Sequence, residues 1–249
     1  MFEDKNYIIF GCTSGIGLCT AKALAEKGAN VFLVGRGREK LKNLSNLIGG
    51  QPYYDVDLSN CSEDEITTCT EECLNKMRWV DGMVYSAGVA DILPIRNVTR
   101  DFTRKLFNVN LFGFISAVRG LYGIGNKGKN ASVVGISSGA AIEPSLCQTV
   151  YAASKAGMNV AAKALAKELR PFGIRVNTVM PWVVDTKMIA DSEKSGMMSE
   201  SKLKAYHDRG GVLQPNDITD VIEFLLSDKS KAITGATLSA SGGLDSFFE

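Results

Sequence analysis

The sequence predicts an α/β protein: one parallel sheet of about seven strands, doubly wound, with helices on both faces. Three observations lead there. Short, continuously apolar runs alternate with stretches of helical period, and strands apolar on both faces belong in a sheet covered on both sides. A glycine-rich turn joins the first such run to the first helix. The 249 residues, 45% hydrophobic and 22% charged, exclude disorder and fit one domain, since α/β domains of roughly 200–250 residues are routine.

Taken in order, the first strand is expected at 7–10 (YIIF), four apolar residues stopped by Gly11, with a helix at 15–27. The run 31–34 (VFLV) gives the second strand and leads through Gly35-Arg36-Gly37 into a helix at 38–48. A weaker strand at 53–56 precedes a helix at 62–77, and 82–85 (GMVY) precedes a long helix at 99–122. Strands at 132–137 (SVVGIS) and 174–179 (IRVNTV) bracket a helix at 150–170, and a helix at 216–227 precedes the last strand at 236–240 (ATLSA). Repeated β-α units entered through a glycine turn make the sheet Rossmann-like. No linker, repeat or low-complexity tract divides the chain, so 1–249 reads as one domain.

The exception is 183–213, polar, Met- and Lys-containing, and too long for a simple connection. Segments of that kind are lids or disordered loops, and a lid over the substrate is expected here. Met188, Met197 and Met198 offer an adaptable apolar surface for substrate or simply dock the lid. Lys187, Lys194, Lys202 and Lys204 could receive a phosphate or carboxylate, or form a solvated helix face.

Charge and cysteine content exclude several classes. With 28 basic and 27 acidic residues, net charge +1 and no Lys/Arg run, the chain has no electrostatic footprint for nucleic acid or an anionic membrane. The start, MFEDKNYIIFG, is acidic where a signal peptide is basic. No stretch approaches the ~18–20 apolar residues of a membrane span. Six cysteines without a CxxC pair read as reduced thiols of a cytoplasmic protein. Cys69 and Cys73 could touch one metal from adjacent helical turns, but two ligands are not a zinc site. A single histidine, His207, argues against His-rich metal sites and a Ser-His-Asp hydrolase. No metal is expected.

The glycine turn, Gly11-Cys12-Thr13-Ser14-Gly15-Ile16-Gly17, has chemistry of its own. Side chains at Gly11 or Gly15 would block the turn or hold a pyrophosphate off the backbone; Gly17 lets the helix pack close, and the helix N-terminus supplies free N–H groups and partial positive charge. A bare tight turn is the plainer reading, but its place at the first βα junction favours a nucleotide. No carboxylate ends the second strand to hold a ribose 2′-hydroxyl. Arg36 and Arg38 stand there instead, either clasping a 2′-phosphate or solvated as a basic pair. NADP(H) is therefore the expected cofactor, with NAD as the alternative. Asp57 and Leu58 would suit the adenine amino group, and Ser86-Ala87-Gly88 would let backbone lie close to the second ribose.

At the other end, Tyr151 and Lys155 open a helix one turn apart, phenol and ammonium on one face. A free tyrosine has a pKa near ~10, and a fixed ammonium beside it is expected to lower that toward neutrality, making Tyr151 an acid-base. Ser138, at the end of the fifth strand, would hold the substrate oxygen; Ser137 is its neighbour, and alternation along a strand lets only one of them face the site.

Together, Gly11–Gly17, Asp57, Ser86-Ala87-Gly88, Asn108-Val109-Asn110, Ser138, Tyr151/Lys155, Val176-Asn177 and Pro181…Thr186 resemble, in order and spacing, the short-chain dehydrogenase/reductase family, within it most closely the 3-oxoacyl-[acyl-carrier-protein] reductases, over about residues 5–243. The resemblance implies Tyr151 as general acid-base, Ser138 polarising the carbonyl, Lys155 on the nicotinamide ribose, and Asn110 anchoring a proton-relay water. It implies Gly11, Thr13, Ser14, Gly15, Ile16 and Gly17 around the dinucleotide, with Pro181, Val184 and Thr186 beside the nicotinamide, where Val184 and Thr186 would hold the carboxamide. It also implies a small-molecule carbonyl substrate and a homo-oligomer, tetramer or dimer, built through the 99–122 and 150–170 helices.

Four positions depart from the family pattern. Phe10 replaces a Thr, Tyr85-Ser86 an Asn-Asn pair, Pro181-Trp182 a Pro-Gly, and Phe172 stands where carrier-protein reductases often present Arg. The last two point away from an acyl-carrier substrate. Trp182 is expected either to wall the substrate pocket or to turn into the lid. Besides a 3-oxoacyl thioester reductase, the open alternatives are a reductase of steroid, sugar or polyol carbonyls and a non-catalytic dinucleotide sensor. A sugar epimerase or dehydratase fits less well, because the longer relatives carry an extra substrate domain.

Overall fold

A computed structural model describes residues 1–123, 130–187, 189, 200–208 and 210–244. Seven parallel strands form one sheet in the order β3-β2-β1-β4-β5-β6-β9: β1 (Asn6–Phe10), β2 (Asn30–Gly35), β3 (Tyr53–Asp55), β4 (Gly82–Tyr85), β5 (Ala131–Ile136), β6 (Ile174–Pro181) and β9 (Thr237–Ala240). The helices among the described residues are α1 (Gly15–Glu26), α2 (Arg38–Leu47), α3 (Glu63–Met77), α4 (Arg100–Phe107), α5 (Gly113–Gly123), α6 (Thr149–Leu169), α7 (Glu200–Asp208) and α8 (Pro215–Leu226).

Alternation along each strand sorts its residues onto two cores. Ile8, Phe10, Phe32, Val34, Met83 and Tyr85 pack with Ile66 and Leu74 of α3, Phe114 and Leu121 of α5, and Met158 of α6. Tyr7, Ile9, Val31, Leu33, Val84 and Val134 face the other way, against Leu24 of α1, Leu41 of α2 and Ile222 of α8. Both strand faces are therefore apolar, which is why these runs carry no polar alternation. α3 starts on a capping box, with Ser62 Oγ accepting from Glu65 N and Glu65 Oε2 accepting from Ser62 N. Strand order reverses between β1 and β4, and their C-terminal ends open the crevice in which doubly wound folds hold ligands.

One expectation needs correction and one gains detail. The helix expected at 99–122 is broken by a π-helical turn, Asn108–Phe112, between α4 and α5. The Tyr85 hydroxyl donates to the Val109 carbonyl at 2.7 Å, and a side chain entering the helical ladder opens it by one residue. The segment 183–213 also has structure that its composition hides. Its two ends, β7 (Val183–Val184) and β8 (Val212–Leu213), pair as a separate parallel ribbon, and it contains α7. Met188, Lys194, Met197 and Met198 lie outside the described residues, as does the side chain of Lys202; Lys187 and Lys204 are exposed.

Candidate active site

The chain leaves β1 through Gly11 (φ +79°) and enters α1 at Gly15 (φ +54°). A Cβ on Gly11 would stand 2.5 Å from Ala87 N, and one on Gly17 would stand 2.4 Å from the Gly11 carbonyl oxygen. Only glycine fits at either place, so the turn lies directly on the backbone after β4 and α1 is drawn down onto the turn. Ser14 precedes α1 without a side-chain cap bond, and no acidic residue occupies the first turn. The first N–H groups of α1 are thus not taken up by a side-chain cap, an arrangement suited to an anion.

A cleft of about 480 Å³ runs from this turn across the C-terminal ends of the strands. Thr13, Ser14, Gly15 and Ile16 line it with Gly11; so do Ser86, Ala87 and Gly88 after β4, and Pro181, Val184 and Thr186 after β6. Gly17 and Asn110 lie behind the wall.

At the β2 end of the cleft, Arg36 lines the wall with Asp57 and Leu58. Its guanidinium is largely exposed, with Nη1 3.3 Å from Asp57 Oδ2. Asp57 Oδ1 accepts from the Ser59 hydroxyl at 2.7 Å and from Ser59 N at 3.0 Å. The Ser59 hydroxyl first, and the Arg36 charge after it, hold this carboxyl below its ordinary range. Arg38 is not part of the wall: Gly37, at φ +100° and tied to Asp55 Oδ1, turns the chain, and Arg38 begins α2 exposed. Of the two arginines paired by sequence, one reaches the cleft.

At the other end, Ser138, Tyr151 and Lys155 converge. β5 stops at Ile136, and Ser138 caps a single 3₁₀ turn, its Oγ accepting from Ala140 N at 3.2 Å. The Ser138 hydroxyl lies beside the Tyr151 phenol and favours its ionised form. Ser137 also borders the cleft, but its hydroxyl donates to the Lys155 carbonyl at 3.3 Å. Lys155 lines the cleft but is buried, its Nζ donating to the Ile136 carbonyl at 2.8 Å.

The ionisation of this pair differs from the sequence expectation. Tyr151 is raised above the ordinary tyrosine value, because burial outweighs the nearby Ser138 hydroxyl, which favours the phenolate. Burial lowers Lys155 to about 8. Desolvation acts on both groups, and the ammonium is directed at a backbone carbonyl rather than at the phenol.

Asn110 is fully buried in the π-helical turn. Its Oδ1 accepts from Val89 N at 2.9 Å, and its Nδ2 donates to Val89 O at 3.0 Å and to Ser154 Oγ at 2.9 Å. Ser154 Oγ donates on to the Tyr151 carbonyl at 2.7 Å. This side chain joins three segments behind the cleft, and Ser154, which spacing gave no reason to single out, is the link. Among the described residues, no group of three or more His, Cys, Asp or Glu is placed to hold a metal. No helix among them is long and apolar enough to cross a membrane. All six cysteines are free.

Residues 11–245 match the family model described as Enoyl-(Acyl carrier protein) reductase. A short-chain type dehydrogenase/reductase from Mycobacterium ulcerans superposes with a TM-score of 0.87 at 27% identity, covering 97% of this chain and 90% of that one. The chain belongs to the short-chain dehydrogenase/reductase family.

This short-chain dehydrogenase/reductase is accordingly an oxidoreductase of the NAD(P)-dependent class. It is 34% identical to an L-xylulose reductase of Mus musculus, over 96% of both chains. It is 34% identical to a 3-oxoacyl-[acyl-carrier-protein] reductase of Thermotoga maritima, over 97% of this chain and 98% of the relative. It is 32% identical to an NADP-dependent (R)-specific alcohol dehydrogenase of Lentilactobacillus kefiri, over 97% and 96%. Two of the departures in this dehydrogenase/reductase meet each other: the rings of Phe10 and Tyr85 pack at 5.4 Å beneath the cleft. The other two are apart, Trp182 on the cleft wall and Phe172 half-exposed against Tyr122 at 4.9 Å.

Proposed function

We propose that this protein is an NADPH-dependent reductase that interconverts a ketone and its secondary alcohol in the cytoplasm. The observation that carries the reading is the meeting of Ser138, Tyr151 and Lys155 at one end of a cleft whose other end presents Arg36. The residues fit a dinucleotide: the Gly11 turn leaves no room for a Cβ, and the first turn of α1 lacks a side-chain cap. The glycine turn and α1 would hold the pyrophosphate, and Arg36 the 2′-phosphate, with Asp57 and Leu58 at the adenine. Ser86, Ala87 and Gly88 would face the second ribose, with Lys155 hydrogen-bonding its hydroxyls, and Pro181, Val184 and Thr186 would hold the nicotinamide. When bound, NADPH supplies the hydride. Ser138 orients the carbonyl oxygen and Tyr151 gives its phenolic proton to that oxygen as charge develops there; in the alcohol-oxidising direction the proton returns. Asn110 fixes the Tyr151 helix through Ser154 and is a positioning residue.

Relatives named as xylulose and 3-oxoacyl reductases support a carbonyl substrate of either kind. The pairing of β7 with β8 supports a lid at 183–213, since it joins the two ends of that segment. Phe112 and Ile115 near the start of α5, with Val160 on α6, are partly or largely exposed apolar side chains, and a second copy of this chain would cover them in a dimer or tetramer.

The test is turnover of NADPH against ketones, sugar ketones and a 3-oxoacyl thioester, followed by absorbance of the reduced cofactor. Alcohol formed in equal amount to NADP⁺ is expected. No oxidation with any carbonyl, or an altered product with the cofactor unchanged, overturns the reading.

A further inference from the structure

Trp182 lines the cleft where the chain leaves β6, its backbone N held by the Ala240 carbonyl at 3.1 Å. Its indole is seated on Gly139, one residue beyond Ser138. A Cβ at Gly139 would stand 2.8 Å from indole Cδ2 and 2.9 Å from Cε2 and Cγ. The ring therefore lies flat on bare backbone and cannot recede past it, forming a rigid aromatic wall next to the serine that orients the carbonyl.

The polar side chains near this wall are mostly engaged. Ser137 donates to the Lys155 carbonyl, and Asp91 and Lys105 pair with each other at 2.6 Å. Thr186 sits over the glycine turn, 3.5 Å from where a Gly15 Cβ would stand. Ile189 and Val184 add apolar wall, and Lys187 is exposed at the mouth. Outside the cleft wall, the segment joining Ser138 to Tyr151 exposes Ile142 and Leu146 alongside Glu143 and Ser145. It is tied by Cys147 O to Leu93 N, beside which Ile95 is also exposed. Among the described residues, side chains on this wall that already have partners offer a substrate's several hydroxyl groups little in exchange for the water they lose.

We propose that this half of the cleft takes a flat, apolar carbonyl compound of the aryl-ketone class, and that Trp182, seated on Gly139, is the residue that sets this specificity. The proposal rests on the reductase reading above. An aromatic substrate face stacks on the indole, whereas a puckered ring of equal carbon count meets a wall that cannot move.

The experiment measures kcat/KM at saturating NADPH for acetophenone, cyclohexyl methyl ketone and xylulose. Acetophenone should exceed each of the other two by roughly tenfold. Trp182→Phe, which keeps a flat ring, should preserve the order. Trp182→Ala should raise KM for acetophenone about fivefold and narrow its lead over cyclohexyl methyl ketone. Gly139→Ala, which unseats the indole, should narrow the same lead while NADPH still binds in a fluorescence titration. Equal kcat/KM for the three ketones, or ratios unchanged in Trp182→Ala, overturns the specificity proposal and leaves the reductase reading standing. No NADPH oxidation with any ketone overturns both.

Discussion

Asn110 and Ser154 are hydrogen-bonded, Nδ2 to Oγ at 2.9 Å, and the same serine donates to the carbonyl of Tyr151. The π-helical turn exists where Tyr85 pulls on Val109, and it leaves Asn110 buried with its amide engaged by Val89 and Ser154. The turn thereby connects the backbone after β4 to the helix that carries the acid-base. Asn110→Ala should remove three hydrogen bonds, leaving the Val89 N–H and carbonyl without this partner while Ser154 keeps its bond to Tyr151, and cost about 3 kcal/mol, lowering Tm by roughly 6–12 °C for a chain of this size. At a temperature where the variant is folded, kcat should fall while KM for NADPH changes little. A variant with native kcat at that temperature would show that Asn110 only stabilises the fold.

Cofactor choice is expected to lie with Arg36. Its guanidinium is exposed and paired loosely, at 3.3 Å, with an Asp57 carboxylate held chiefly by Ser59, so it is available to an incoming phosphate. One charge-assisted contact is worth about 1.4 kcal/mol, or tenfold. kcat/KM for NADPH should exceed that for NADH by at least about that factor, and Arg36→Ala should erase the difference. Equal use of both cofactors by the native protein contradicts this.

Lys155 gives the pH dependence. Burial lowers it to about 8, so the ammonium is present below that pH and lost above it, while Tyr151, raised by burial, keeps its proton. kcat/KM for NADPH should be flat below about pH 8 and fall above it. Stability runs the other way: between about 8 and the ordinary lysine value the unfolded chain holds a proton that the folded chain releases, so this group makes unfolding harder as pH rises. Urea titrations across that window should show the rise in the native protein and lose it in Lys155→Met; a native protein without the rise contradicts the burial of the charge.

Much of this was legible in the sequence, for physical reasons. Strands such as 7–10 and 31–34 are apolar on both faces because both faces are packed, and that signature needs no neighbour to be read. Gly11 and Gly17 are legible because a single missing Cβ decides whether the turn closes. The π-turn at Asn108–Phe112 was not, since it depends on a hydroxyl from β4, 24 positions away in the chain. β7 and β8 are two residues each, too short for any period to register. Tyr151, Lys155 and Ser138 were found by type and spacing, but their ionisation was misjudged: proximity of ammonium and phenol is visible in sequence, and the depth at which both lie is not.

The central claim is that Tyr151 is the proton donor. It is tested most directly by comparing the native protein with Tyr151→Phe on one ketone, measuring kcat by NADPH oxidation and Kd for NADPH by fluorescence titration. Removing the phenolic hydroxyl should lower kcat by at least ~10²-fold, the usual worth of a positioned acid-base, while NADPH affinity stays close to native. Reduction by Tyr151→Phe at or near the native rate would contradict it.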